Sequence, residues 1–122
     1  MAGTSGRPST SPLETSLGNA VLSKDIRARI DGAVDDALTV LQKQKYATLV
    51  VLPASRTRSL KGSKALLTTY RDNLADGQLR VVVQGVVPGL GGIYHYIRAG
   101  GFTITPGGVV VMLSPEQLWG FT

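Results

Sequence analysis

The chain has 122 residues with 13 Lys+Arg against 8 Asp+Glu, a formal net charge of +5, one His and no Cys. That is the size of one domain, long enough to bury roughly two thirds of its unfolded surface without covalent staples. The absence of Cys excludes thiolate nucleophiles, disulfide frameworks and Cys-ligated zinc or iron–sulfur sites. A single His likewise excludes a multi-histidine metal centre within one chain.

Residues 1–19 are dominated by Ser, Thr, Gly and Pro, with Leu13 and Leu17 as their only large apolar residues after Met1. Such a segment buries too little apolar surface to offset its ordering entropy. Residues 1–22 are therefore predicted to be a flexible N-terminal arm preceding a single domain over 23–122. The first 15 residues lack the basic start, apolar stretch and small-residue cleavage site of a secretory leader, which predicts a virion or cytoplasmic location.

Over 23–45, Ile26, Ile30, Val34, Ala37, Leu38 and Leu41 recur at helical spacing, behind Ser23 as a candidate N-cap. The outer side of this helix carries Lys24, Arg27, Asp31, Asp35 and Asp36. Residues 46–52 then read as a buried strand stopped by Pro53, and 53–62 as a loop. A second helix is predicted over 64–75, with Leu66, Leu67, Tyr70 and Leu74 as its apolar positions, Ser63 as its cap and Gly77 as its stop. Strand, helix and strand in succession predict a right-handed parallel crossover between 46–52 and 79–87.

From Leu79 onward the expected elements are β runs at 79–87, 93–98, 102–105 and 109–113. They are separated by Pro88-Gly89-Leu90-Gly91-Gly92, Gly100-Gly101 and Pro106-Gly107-Gly108. The apolar stretch 81–97 is broken by Gln84, Gly85, Pro88, Gly89, Gly91, Gly92 and His95, so it reads as β structure with a turn. No membrane partner is expected. The fold class is α+β, with an α/β crossover at its centre: an arm, a long helix, a β-α-β unit and a C-terminal antiparallel meander.

Beyond Gly77 the charged side chains are Arg80, Arg98 and Glu116 alone. Charge on sheet edges is how soluble proteins discourage edge-to-edge pairing, and strands this poor in charge leave their edges unguarded. Copies of the chain are expected to pack together. The competing explanation is a sheet covered on both faces by the chain's own helices and arm.

Two groups of residues are candidates for phosphate or nucleic-acid contact. Arg56, Arg58, Lys61 and Lys64 form a basic stretch ahead of a predicted helix N-terminus, where backbone N–H groups favour anions. Their order is not that of a P-loop, and a solvated loop accounts for them equally well. Tyr94, Tyr96 and Arg98 alternate along one strand and so share a face, with His95 pointing away. Such a face suits stacking of single-stranded bases, although cross-strand packing is the simpler explanation. Asp31 and Asp35, four apart on the helix, are adjacent but lack a His or Glu at metal-ligating spacing.

These features predict a structural, self-assembling protein rather than an enzyme, for example a capsid, neck or tail subunit of a virus or phage particle. Its partners would be further copies and other assembly subunits. The alternative is a small basic nucleic-acid-binding protein using the 56–64 loop and the Tyr94, Tyr96 and Arg98 face, or a metal-independent ribonuclease with His95 as its acid–base group. No catalytic set, cofactor, metal site or small-molecule substrate is identified.

Overall fold

A computed structural model describes residues 12–89, 91 and 93–122, with side chains from Lys24 onward. The chain forms one long helix followed by a five-stranded antiparallel sheet. Helix α1 runs Pro12–Gln42, and a single helical turn, α2, spans Tyr46–Leu49. The strands are β1 (Ser55–Ser59), β2 (Leu66–Asn73), β3 (Leu79–Pro88), β4 (Tyr94–Ile104) and β5 (Val110–Met112). A 3-10 helix, Glu116–Phe121, ends the chain. No helix among the described residues is long and apolar enough to cross a membrane.

Spatial strand order equals chain order, β1-β2-β3-β4-β5, and every neighbouring pair is antiparallel. The meander expected at the C-terminus thus extends back to residue 55. The expected parallel crossover is absent, because two of its parts are differently folded. Residues 46–52 begin as a helical turn that buries Leu49 in the core, despite their β-branched composition. Residues 64–75, expected to be helical, contain β2. The adjacent Thr68, Thr69 and Tyr70 favour a pleated strand, and β2 fills the place between β1 and β3.

The segment expected to be a loop contains β1, whose five residues are all exposed. Its hairpin to β2 closes with Leu60 N–H donating to the Ala65 carbonyl at 2.9 Å, and Gly62 supplies a φ of +77°. Helix α1 passes through Ser23 without a break, so Ser23 is not its cap and residues 12–22 of the expected arm are helical. Residues 1–11 of that arm lie outside the described residues.

One face of the sheet packs on α1. Ile30, Val34 and Leu38 are buried against Leu67, Val81, Val83 and Phe102, with Ile26, Ala37 and Leu41 partly buried beside them. Removing side chains of this size from water stabilises the fold by about 2 kcal/mol each. Close approach of helix and sheet depends on glycine. A Cβ on Gly100 would lie 2.5 Å from Leu38 Cδ1, and one on Gly85 would collide with Ile30 Cγ2. Gly100-Gly101 is therefore not the expected turn; both residues lie inside β4, paired with Val83 and Val82.

The C-terminal 3-10 helix closes part of the opposite face. Leu118 is buried, and the Phe121 ring lies 5.4 Å from that of Tyr70, centroid to centroid. The Arg80 guanidinium sits 5.4 Å from the Phe121 ring centre and pairs with Asp72 at 2.7 Å.

Candidate functional site

Both edges of the sheet are free of a further strand among the described residues, and they differ in chemistry. The β1 edge, Ser-Arg-Thr-Arg-Ser, is polar and cationic. Arg56 and Arg58 pair with Thr69 and Leu67, which places them on the α1 side of the sheet, while Thr57 faces the other way and shares a 2.8 Å hydrogen bond with Thr68. From Pro53 to Arg71 the chain carries Arg56, Arg58, Lys61, Lys64 and Arg71 without an acid. Lys61 and Lys64 flank Gly62 in the β1–β2 turn and are exposed.

The β5 edge is apolar. Val111 is 57% exposed, Met112 51% and the preceding Val109 60%. Val111 pairs with Thr103 and so lies on the face that carries the 3-10 helix, where Trp119 is 74% exposed. Beside Trp119 an open hollow of about 430 Å³ is lined by Ile97, Ala99, Pro115 and Leu118 together with Arg98 and Thr122. Val81, Val82 and Val83 are completely buried, so the exposed large apolar side chains of this charge-poor half lie at β5, at the tail and, with Ile93 and Tyr94, at the start of β4.

Tyr96 and Arg98 do share a face, and that face is turned toward α1. Tyr96 Oη donates to Asp31 Oδ1 at 2.6 Å. Arg98 reaches Asp35 Oδ1 at 3.1 Å and Asp31 Oδ1 at 3.4 Å. The Arg27 guanidinium lies 5.3 Å from the Tyr96 ring centre. Hydrogen bonding to Asp31 raises the Tyr96 pKa above its ordinary value, with burial and the negative charge of Asp31 acting in the same direction; Arg98 and Arg27 oppose it. Tyr96 and Arg98 of the candidate face thus make contacts within the chain, and the helix carboxylates Asp31 and Asp35 share one cation, Arg98.

A register shift between Val87 and Pro88 pairs Val87 with Tyr96 and Pro88 with Tyr94, leaving His95 as the extra residue of a bulge. His95 lines the same cleft as Ile26 and Arg29 of α1. It does not point to the far face as simple alternation predicts, because the bulge adds half a period. Tyr94, at the start of β4, is exposed. Arg29 gave no sequence signal: its Nη2 donates to the Lys61 carbonyl, 32 positions away, and only the fold brings them together.

No protein-family model, no curated protein and no solved structure matches this chain.

Proposed function

We propose that this chain is a structural subunit that assembles with further copies of itself, as in a virus or phage capsid, neck or tail, and that its copies join along β5. The observation that carries this reading is the uncharged, apolar β5 edge with Val109, Val111 and Met112 exposed, adjoining the face that exposes Trp119. Unpaired strand N–H and C=O groups are a template for another strand, and apolar side chains beside them supply the driving force for pairing. Charge selects between the two edges. A β1-to-β1 contact would set Arg56 and Arg58 of one copy against those of the next, whereas no charged residue occurs between Arg98 and Glu116. Antiparallel β5-to-β5 pairing about a two-fold axis is self-complementary and continues the sheet.

Size-exclusion chromatography with light scattering on tag-free protein, at low and high salt, tests the assignment. A multimer that persists in high salt is expected, since apolar edge pairing is not screened. A monomer at both salt concentrations overturns it.

A further inference from the structure

Helix α1, the β1–β2 turn and the β3–β4 junction enclose an open cleft of about 580 Å³. Ile26, Val87 and Pro88 line it with apolar surface, Arg29, Lys64 and His95 with donors, and Asp25 is the one acid among its lining residues. The three donors come from three separate elements. Each is placed by the fold: Arg29 is tethered through Nη2 to the Lys61 carbonyl, and Lys64 follows the turn at Gly62. His95 is held by the bulge against the β3–β4 turn, where a Cβ on Gly89 would come within 2.8 Å of its Nε2.

Asp25 offsets one of the two full cations in the cleft. Lys61, Arg56 and Arg58 stand on the adjoining turn and edge strand with no acid among them, and they keep the surrounding field positive. Like charges gathered in this way repel one another in the free protein, and a bound anion relieves that repulsion.

We propose that this cleft binds a phosphate group. Arg29 supplies the planar fork that matches two phosphate oxygens, Lys64 supplies a mobile point charge, and His95 supplies a ring N–H. Donors arriving from three elements suit a tetrahedral oxyanion, which presents an oxygen to each; a planar carboxylate presents two. The phosphate belongs either to a nucleic-acid strand that continues along Arg56 and Arg58 or to a free phosphate or nucleotide. This site is separate from β5 and stands or falls independently of the assembly reading.

The full chain is titrated with a fluorescein-labelled single-stranded oligonucleotide by anisotropy and with inorganic phosphate and a mononucleotide by calorimetry, and the last two are also added as competitors of the oligonucleotide. The cleft pair Arg29→Gln with Lys64→Gln is compared with Lys43→Gln with Lys45→Gln. The second pair removes the same charge from the turn just beyond α1, whose last residue, Gln42, lies roughly 20 Å from Arg29 by the helical rise. Loss of about tenfold or more in affinity is expected for the cleft pair, against about twofold or less for the distant pair. Lys64→Gln alone, at an exposed turn position, keeps the comparison available if the double variant fails to fold; its loss is also expected to exceed that of the distant pair.

Competition by millimolar mononucleotide or phosphate assigns a free ligand, and resistance to both assigns a strand. Equal losses in the cleft and distant variants, or no binding of any of the three probes, overturns the site.

Discussion

Tyr96 on β4 donates a 2.6 Å hydrogen bond to Asp31 on α1, and the same carboxylate oxygen lies 3.4 Å from Arg98. One helix turn is thereby latched to the middle of the sheet by groups that could otherwise have faced a ligand. The bond requires a protonated phenol, so the folded state raises the Tyr96 pKa above 10.0. Its stabilisation is complete below pH 10 and is lost as pH rises through the folded-state value. Tyr96→Phe is expected to cost about 1 kcal/mol at neutral pH. In denaturant titrations the gap between parent and variant should close above pH 10; a gap that stays constant would show that the loss does not come from the hydrogen bond of the protonated hydroxyl to Asp31.

Identical substitutions at two glycines should have opposite signs. Gly32 lies on the exposed side of α1, where an added Cβ would meet nothing within 4 Å, whereas a Cβ on Gly85 collides with the fully buried Ile30. Gly32→Ala should stabilise by about 0.5–1 kcal/mol through helix propensity. Gly85→Ala should destabilise by about 1–3 kcal/mol through overpacking. Urea midpoints of the two variants, measured side by side, decide this.

Arg98 pairs with two carboxylates, but its side chain is 39% exposed and those of Asp31 and Asp35 are 38% and 60% exposed. Solvent screens such pairs. Arg98→Ala is expected to cost less than about 1 kcal/mol in low salt and to lose most of that difference in ~1 M salt. A loss insensitive to salt would instead mark packing of the Arg98 stem as the main contribution.

At the β5 edge, Val111→Lys places a charge where two copies would meet, and Trp119→Ser removes the largest exposed apolar group on the adjoining face. Both residues are exposed, so the thermal midpoint of the isolated subunit should move little. Light scattering should show Val111→Lys shifting the chain toward the monomer and Trp119→Ser weakening assembly. Arg56→Ala on the opposite edge should leave it intact. Assembly unaffected by Val111→Lys would remove β5 as the joint.

Local patterning read the two kinds of element whose signal is carried by apolar spacing or glycine chemistry. The helical repeat of Ile30, Val34 and Leu38 identified the buried side of α1, and the Pro106-Gly107-Gly108 turn separated β4 from β5, with Gly108 at a φ of +89°. The same logic failed at β1, where Arg-Thr-Arg offers no apolar alternation and the strand exists because β2 lies beside it. It failed at β2 because Leu66, Leu67, Tyr70 and Leu74 satisfy helical spacing while the residues between them favour a strand. Arg56, Arg58, Lys61 and Lys64 were legible as a basic run. That Lys64 shares a cleft with Arg29 and His95 was not, since the three are far apart in the chain.

Composition and short-range order determined that this chain has no thiol chemistry, that one long helix presents a single apolar stripe, and that its second half is charge-poor β structure. Tertiary structure alone decided which strands pair, that Tyr96 and Arg98 are consumed by Asp31 and Asp35, and which apolar residues remain in water. The reason is that pairing and burial are settled between residues tens of positions apart, whose interaction energies have no trace in the local propensities of either segment.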